Sequence, residues 1–570
     1  MRTSKPLSAL ALLCLLAAAP AFGAATITIV NTDGPGEGFN DPAPADPLST
    51  AGGNPDATLG EQRLIAFQFA ADIWGAFLES DVEIFIQASF DPLGPPAFPP
   101  CTAGGVIGAA GSIQIFSDFP GAELPNTWYH GALANKLAGG DLAPGPNGTS
   151  ADDLVAFFNS DVDNPVCLGT RSWYYGLDTN HGVNVNLVAV LLHEFGHGLG
   201  FSNFANESTG TLNSGRPDVF SEYTLDITTG KTWNQMTNAE RQASAINARK
   251  VVWNGINVTA AIPGALALGA PLVRVNTPAA LGKLEVGPAL FGAAFTSPGV
   301  TGALVQALDA STVDGPSTTD GCTPLTNAAD VAGNIALVDR GTCGFTIKVK
   351  NAQDAGAIAV VVADNLPGGP PANLGGADPT VTIPSGRVTL PDGNALKAAL
   401  PNVNVTLGLD PTVRAGTEPT TGKMHLNAPN PVQPGSSISH WDPIASPNLL
   451  MEPSISSDLP NVLDLTEDEM IDIGWFSDGD GVPDGRDSCI GSNPSATVVI
   501  ESCSTSAPNV INAAGCKFTD KVEACAARYP RPVQFVACVT VEALRQKQAR
   551  AWNVRQTAEV VACAVRSQLH

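Results

Sequence analysis

The chain has 570 residues, of which 15% are charged, and its formal net charge is −25. A strongly acidic chain is repelled by nucleic acid and by anionic membrane surfaces, so neither is expected as a partner. The length exceeds what one hydrophobic core usually serves, so several domains are expected.

The first 23 residues have the pattern of a secretory signal peptide. Arg2 and Lys5 form a short basic start, an apolar run covers residues 7–19, and Gly23 stands where a signal peptidase needs a small residue. That run is too short for a membrane span, and no later stretch is long and apolar enough for one. We therefore expect a protein that is secreted, periplasmic or envelope-associated, and not an integral membrane protein.

The cysteines fit an oxidising compartment. Cys14 lies in the predicted signal peptide, so ten of the eleven cysteines remain, an even number that suits disulfides. We expect Cys101 to pair with Cys167 and Cys322 with Cys343. The other six are expected to staple the C-terminal tail: Cys489, Cys503, Cys516, Cys525, Cys538 and Cys563.

Hydrophobic periodicity predicts the elements of the first 200 residues. Residues 26–31 and 82–88 are predicted strands, 61–79 carry apolar residues at helical spacing, and 112–116 are a further short strand. Residues 186–198 are predicted to form a helix with an apolar face towards a core. Gly198 and Gly200 can end it in a left-handed turn. This order is that of the N-terminal subdomain of a zinc protease.

The predicted helix carries His193-Glu194-Phe195-Gly196-His197, which has the H-E-x-x-H form of a catalytic zinc site. Residues i and i+4 lie on one face of a helix, so His193 and His197 can present two imidazoles to one metal. Zinc lowers the pKa of a bound water to about 7, and the neighbouring Glu194 can then take its proton.

Such a site needs a third protein ligand. The common extension H-E-x-x-H-x-x-G-x-x-H ends here on Asn203, whose amide oxygen is a poor zinc ligand, so the site is either inactive or completed elsewhere. His440, beside Trp441, is the preferred third ligand, although it could instead be a histidine satisfied within a loop. Glu222 is its rival because another class of zinc protease uses a downstream glutamate, and Asp218 is a weaker one. Three of the four remaining histidines are expected to be hydrogen-bonded or structural: His130, His181 and His425.

His440-Trp441 and Leu450-Met451 follow the zinc motif after a long insertion. This arrangement resembles leishmanolysin-type metzincins, loosely over residues 60–205 and 420–475 and sharply only at the two motifs. The resemblance implies that His193, His197 and His440 bind zinc and that Glu194 is the general base. It also implies that Met451 forms an apolar turn beneath the metal. The insertion is much longer than in that family, and no inhibitory prosegment is recognisable.

The insertion has a pattern of its own. Gly333 to Asp339 and Ile358 to Asp364 are predicted strands, and the residues between them include an amphipathic helix and Cys343, the expected partner of Cys322. These residues resemble a protease-associated (PA) domain, extending from about 275 to 410. The resemblance implies a non-catalytic α/β domain that shapes access to a protease site or binds substrate.

Alternating aspartates follow Trp475. Asp478, Asp480, Asp484 and Asp487 alternate with glycines, which allows a tight loop to direct several oxygens onto one calcium ion. The run resembles a single thrombospondin type 3 calcium repeat, and a solvated linker is the alternative.

The C-terminal tail differs in charge from the rest of the chain. From Lys517 onwards there are nine Lys and Arg and four Asp and Glu, so the helical tail is basic and could dock on the acidic body or on the cell envelope.

Together these patterns predict an α+β fold: a metzincin-like zinc protease domain interrupted by an α/β PA domain, with a small cysteine-rich helical tail. The predicted segments are a signal peptide (1–23), a first protease part (24–270), the PA domain (275–410), a second protease part (415–476), a calcium repeat (477–490) and the tail (500–570). The predicted function is a secreted zinc metalloendopeptidase with protein or peptide substrates. The alternative is an inactive binding protein that works through its PA domain.

Overall fold

The computed structural model describes residues 24–93, 105–144, 152–313, 315–477, 482–493 and 495–567. The predicted signal peptide, Cys101, Asp478 and Asp480 lie outside these ranges. Among the described residues, no helix is long and apolar enough to cross a membrane.

The described residues between 24 and 266 form a mixed α/β unit. Its strands are β1 (Ile27–Asn31), β2 (Ile84–Asp91), β3 (Gly108–Ser112), β4 (Ile115–Phe116), β5 (Tyr129–His130), β6 (Leu154–Asn159), β7 (Trp173–Tyr174), β8 (Val185–Asn186), β9 (Thr224–Asp226), β10 (Lys231–Thr232) and β11 (Val251–Trp253). Its helices are α1 (Pro47–Ala51), α2 (Leu59–Phe77), α3 (Gly131–Ala138), α4 (Pro165–Leu168), α5 (Leu187–Leu199), α6 (Val219–Tyr223), α7 (Asn238–Ser244) and α8 (Ile256–Ala265).

The main sheet of this unit has the order β1-β2-β6-β3. The first three strands are parallel, and β3 runs antiparallel to β6 at the edge. Strand β2 alternates buried and half-buried residues, as its sequence pattern predicts. Helix α2 begins with a capping box in which Thr58 and Glu61 bond each other's backbone N–H groups, which satisfies donors that a helix start leaves open.

Two local predictions are wrong. The strand predicted over 112–116 is two strands in different sheets, because β3 ends at Ser112 and β4 starts at Ile115. The glycines after the zinc motif make no left-handed turn, because Gly198 lies within α5 and Gly200 has a φ of 163°. Their small size matters for packing: a Cβ would lie 2.3 Å from Leu154 Cδ2 at Gly198 and 2.2 Å from Ile473 Cδ1 at Gly200.

The inserted segment folds around an eight-stranded sheet of its own, in the order β13-β12-β19-β15-β16-β17-β18-β14. Strands β15 to β18 are parallel and carry apolar cores on both faces, which explains their continuous apolar runs. The strands are β12 (Leu268–Thr277), β13 (Lys283–Glu285), β14 (Gly287–Pro288), β15 (Val300–Gln306), β16 (Ile335–Asp339), β17 (Ala359–Ala363), β18 (Ser385–Val388) and β19 (Asn404–Arg414). The helices are α9 (Ala328–Val331), α10 (Phe345–Asp354) and α11 (Leu390–Ala399).

Chain segments on both sides of the insertion share one hydrophobic core. Residues from Ala25 to Leu266 pack with residues from Met424 to Trp475, whereas the inserted residues form separate clusters. Helix α12 (Leu465–Asp472) belongs to this returning segment. Residues distant in sequence are therefore brought to one side of α5.

The tail is a small disulfide-bonded unit with its own core. It consists of a hairpin, β20 (Thr497–Ile500) and β21 (Cys503–Pro508), and three helices, α13 (Phe518–Arg528), α14 (Pro532–Gln548) and α15 (Val554–Arg566). The sequence predicted the helices and missed the hairpin. The six tail cysteines form the pairs Cys489–Cys516, Cys503–Cys563 and Cys525–Cys538.

Two further disulfides were expected, Cys322–Cys343 and Cys101–Cys167. Cys322 and Cys343 are bonded in the inserted unit, with their Cα atoms 5.7 Å apart. Cys167 is also disulfide-bonded, and its expected partner Cys101 lies outside the described residues.

Candidate metal centre

Helix α5 presents the first two histidines of the zinc motif. Its apolar face, including Leu191 and Phe195, is fully buried in the core. The opposite face carries His193 and His197, whose Nε2 atoms lie 3.1 Å apart. The one-turn spacing of the motif produces this approach, as the sequence indicates.

The third histidine comes from the segment that follows the insertion. The Nε2 atom of His440 lies 3.2 Å from that of His197 and 3.3 Å from that of His193. Four-coordinate zinc with Zn–N bonds of 2.0–2.1 Å requires ligand nitrogens about 3.3–3.4 Å apart. The three ring nitrogens therefore form a triangle of nearly the size that one zinc ion requires.

Each of the three rings is oriented by a backbone carbonyl. Nδ1 of His193 lies 2.7 Å from the Leu450 oxygen, Nδ1 of His197 lies 2.8 Å from the Phe201 oxygen, and Nδ1 of His440 lies 3.0 Å from the Ser436 oxygen. A carbonyl accepts only, so each neutral ring carries its proton on Nδ1. This is the usual way in which proteins orient histidines that bind metals through Nε2.

The three histidine nitrogens form a donor set that could hold a metal cation. Three deprotonated Nε2 atoms converge, and none of them has a proton to give to the others. Burial lowers the pKa of His193 to about 3 and that of His197 to about 4. The pKa of His440 is held well below its ordinary value by burial and by the other two histidines. The rings are therefore neutral near pH 7, the state in which they bind metals.

Glu194 follows His193 on α5, and its side chain reaches the edge strand β3. Burial raises the pKa of its carboxyl to about 7, while a hydrogen bond from the Ala110 N–H acts in the opposite direction. A Cβ on Gly108 would lie 3.4 Å from Glu194 Cγ, so the strand passes close to this side chain. The carboxylate is thus held in position while its proton affinity is raised towards neutrality.

Met451 forms a buried floor beneath the helix. Its Sδ atom lies 3.1 Å from the position that a Cβ on Gly196 would occupy, so the glycine of the motif admits the methionine. The Met451 carbonyl accepts a hydrogen bond of 2.8 Å from the Trp441 N–H, which links this turn to the segment that carries His440. Met451 is buried and packs as an apolar residue, and its role as the turn beneath a metal stays a prediction.

Asn203 has a role that the sequence did not suggest. Its backbone N–H and its Nδ2 donate hydrogen bonds of 3.1 Å and 3.0 Å to Ser439 Oγ, and Nδ2 also donates to Glu207 at 3.0 Å. Ser439 directly precedes His440. Asn203 stands at the position where the common motif has its third ligand, and here it holds the segment that carries His440.

We expect Asn203→Ala to bind one zinc ion with about 10-fold lower affinity, because the His440 segment loses an anchor outside the ligand set. Chelator competition measures this. Asn206→Ala, an exposed neighbour whose side chain bonds Thr209, is the matched control and should bind zinc as the wild type does. Complete loss of zinc from Asn203→Ala would instead identify Asn203 as a ligand.

The two rival candidates for the third ligand, Glu222 and Asp218, bind other partners. Glu222 forms an ion pair with Arg486, and Asp218 accepts hydrogen bonds from the backbone of Phe204 and Ser221. Within the described residues, neither joins the histidine cluster. Three other histidines of the described residues are also placed elsewhere: His181 bonds the carbonyls of Asn184 and Ser457, His130 bonds Ser202 Oγ, and His425 is buried.

The expected calcium loop is described only in part. Asp484 and Asp487 are buried, and Asp487 accepts a hydrogen bond from the Cys489 N–H. Asp484 Oδ2 is buried without a hydrogen-bond partner in the described part of the chain. Cys489, Cys516 and Asp520 also lie close together, but the two cysteines are bonded to each other and cannot be thiolate ligands.

Sequence reasoning missed the backbone groups of the site. The carbonyls of Phe201, Ser436 and Leu450 and the N–H of Ala110 orient the four functional side chains. Every residue type carries these groups, so no residue pattern could have found them. Ser439 was visible only as the neighbour of His440.

Comparison with known proteins identifies the inserted unit. The PA domain family model matches residues 300–396, and the chain therefore contains a PA domain. The molecule is thus a mixed α/β protein with disulfides and a PA domain. That match covers the insertion, so the metzincin assignment of the surrounding segments stays a prediction.

Several curated proteins share a short segment with this chain. Minor extracellular protease Vpr of Bacillus subtilis (strain 168) is 41% identical over 71 residues, 12% of this chain and 8% of that protein. Vacuolar-sorting receptor 2 of Arabidopsis thaliana is 44% identical over 72 residues, 11% of this chain and 12% of that protein. Probable leucine aminopeptidase 2 of Aspergillus fumigatus is 36% identical over 91 residues, 16% of this chain and 18% of that protein. The chain spans less than a fifth of the length of each of these relatives.

Solved structures give weak likenesses. An aminopeptidase from Aneurinibacillus sp. strain AM-1 is 27% identical, covers 25% of this chain and 31% of its own, and has a TM-score of 0.19. A zinc aminopeptidase from Bacillus subtilis is 21% identical, covers 36% of this chain and 44% of its own, and has a TM-score of 0.20. These TM-scores are too low for either fold to be carried over to this chain.

Proposed function

We propose that this protein is a secreted zinc-dependent endopeptidase. The observation that carries the proposal is the triangle of Nε2 atoms from His193, His197 and His440, each 3.1–3.3 Å from the others, with Glu194 next to His193 on α5. Three neutral imidazoles and a carboxylate that does not ligate are the protein part of a catalytic zinc site. When bound, the ion would polarise the scissile carbonyl and lower the pKa of water.

In this proposal Glu194 takes the proton from the attacking water and delivers it to the leaving amine. A pKa of about 7, raised by burial, suits a group that must both accept and donate a proton near neutral pH. The Ala110 N–H keeps one side of the carboxylate occupied and so aims the other. Strand β3 is the edge of the main sheet in the described residues, so an extended peptide substrate could pair with it beside Glu194.

The test is hydrolysis of labelled casein by the full-length protein, with its zinc content measured on the same sample. We expect one zinc per chain, activity that is lost with a chelator and activity that returns when zinc is added. A protein that binds no zinc would contradict the proposal, as would activity that survives complete removal of the metal.

The second candidate is a binding protein without catalysis, which works through its PA domain. The observation that favours it is that the curated proteins that share a short segment with this chain include a vacuolar-sorting receptor as well as an extracellular protease. Asn203, which the sequence also counted in its favour, has a positioning role that an active site can use. Zinc bound without any hydrolysis would support this second candidate.

We also propose that Asp484 and Asp487 contribute to a calcium site in the linker before the tail. Both side chains are buried, and Asp484 Oδ2 lacks a hydrogen-bond partner among the described residues. A buried carboxylate oxygen without a partner is available to bind a cation. Burial and the nearby Glu123 raise the pKa of Asp484 to about 8. The metal-free form therefore holds a proton there below pH 8, and a cation must displace it.

From this competition we expect calcium affinity to rise between pH 6 and pH 8 and then to level off. Isothermal titration with calcium chloride, in buffers of different ionisation enthalpy, measures both the affinity and the released proton. Asp484→Asn should bind weakly at every pH. Affinity that is independent of pH in the wild type would refute the role of Asp484.

A further inference from the structure

The backbone of the turn around Met451 is held by a carboxylate from the following segment. Asp464 Oδ2 accepts a hydrogen bond of 2.5 Å from the Leu450 N–H. The carbonyl of the same Leu450 accepts the bond of 2.7 Å from His193 Nδ1. Two hydrogen bonds to the backbone of one residue of the turn thus link Asp464 to a histidine of the metal centre.

The backbone of Asp464 adopts an unfavourable conformation. Its φ is 46° and its ψ is −136°, a combination that residues with a Cβ rarely adopt. Such strain persists only where surrounding contacts impose it, and it concentrates at functional sites. A glycine at this position would be free of the strain, so the side chain of Asp464 must contribute something that glycine cannot.

Capping of α12 explains one oxygen of Asp464 and leaves the other unexplained. Oδ1 accepts hydrogen bonds from the N–H and the hydroxyl of Thr466, at 3.2 Å and 3.1 Å, which is the contact of a helix cap. Oδ2 bonds Leu450, which lies outside that helix. The capping contact and the contact with the turn therefore use different atoms, and substitutions can separate them.

We propose that Asp464 is a positioning residue for the metal centre and acts on His193 by holding the backbone of Leu450. The N–H and the carbonyl of Leu450 belong to two adjacent peptide groups that meet at its Cα, so the bond from this N–H to Asp464 fixes where the carbonyl points. A carbonyl held in place at Nδ1 orients the imidazole of His193 and keeps its Nε2 directed at a metal. This inference rests on the proposed zinc site and extends it to a residue 14 positions beyond Leu450.

Two variants of the full-length protein test the proposal, measured at pH 8.5. Asp464→Asn keeps the volume and one oxygen for the cap of α12, but its NH₂ group cannot accept from Leu450. Asp464→Gly relieves the backbone strain and removes both contacts. Asp458→Asn is the matched control, since this exposed carboxylate of the same segment bonds only the side chain of Asn448 among the described residues.

We expect both Asp464 variants to fold and to bind one zinc ion, with a dissociation constant about 10-fold weaker by chelator competition. The absorption bands of bound Co²⁺ should shift, and kcat should fall while KM stays within twofold. The control should match the wild type in all three measurements. These readouts report on the metal and its ligands, so a residue that only caps α12 would leave them unchanged.

An unchanged zinc affinity in both Asp464 variants would overturn the proposal. It would also be overturned if zinc affinity fell only in proportion to a lower unfolding temperature, since that is the behaviour of a purely structural residue. If the wild-type protein binds no zinc, the proposed function fails as well. If the wild type binds zinc and both Asp464 variants bind it equally well, the proposed function stands and only the role of Asp464 is refuted.

Discussion

Glu194→Gln is expected to abolish hydrolysis of casein while the protein still binds one zinc ion. The amide has the shape of the carboxylate and can still accept a hydrogen bond from the Ala110 N–H, but it cannot take a proton. General base catalysis contributes about 10²–10⁴-fold to the rate, so kcat should fall by about 10²-fold or more. Paired measurements of turnover and of zinc content on one sample check both parts.

Glu207→Gln is the control for this variant. Burial also raises the pKa of Glu207, and its carboxylate accepts from the Asn203 side chain without reaching the histidine triangle. We expect its turnover to stay within about threefold of the wild type, because it has no part in the proton transfer. Full activity in Glu194→Gln would exclude Glu194 as the base and would leave the metal assignment untouched.

His440→Ala is expected to lose zinc as well as activity. Removal of one of three protein ligands leaves two imidazoles on α5, which cannot hold a structural or catalytic zinc ion tightly. His197 and His440 are 243 residues apart in the chain, and a zinc ion bound by both would join their segments. Zinc should therefore also stabilise the wild type against unfolding, and the variant much less. Zinc content after dialysis and unfolding temperature with and without zinc measure these effects.

His181→Ala is the matched histidine variant. Its ring bonds two backbone carbonyls and lies outside the cluster, so the variant should retain zinc even if its stability falls. Stoichiometric zinc in dialysed His440→Ala would exclude His440 as a ligand. The same result would reopen the case for Glu222, whose ion pair with Arg486 would then have to break.

The local pattern was sufficient to predict the helix and its two histidines. The spacing of His193 and His197 has a direct geometric meaning on any helix, and the apolar residues of α5 show which face is buried. Strand β2 was equally clear because its alternation extends over eight residues. The strand predicted over 112–116 was wrong because β3 ends at Ser112 and β4 begins at Ile115, and the pattern of residues 112–116 does not show this break.

Periodicity could not predict which residues far apart in the sequence lie close together in the fold. His440 meets His193 because the segments before and after the PA domain share one core, a fact that the resemblance implied and no spacing rule contains. Asn203 shows the limit most clearly. Read by its position in the motif, it indicated a defective site, whereas its contacts with Ser439 depend on where the distant segment packs.

The glycines of the motif give a related lesson. Gly198 and Gly200 were read as a helix stop, because glycine commonly takes a left-handed conformation at that place. Their observed role is close approach, since Leu154 and Ile473 occupy the space of a side chain. A sequence shows that a glycine is present, but only the packing shows whether its flexibility or its small size is needed.

The most direct test of this account is anomalous diffraction at the zinc edge from crystals of the full-length protein. The account predicts one strong peak, surrounded by the Nε2 atoms of His193, His197 and His440, with Glu194 close to the ion and outside its ligand set. A structure with no metal at this triangle would contradict it, and so would an ion bound by Glu222 or Asn203 in place of His440.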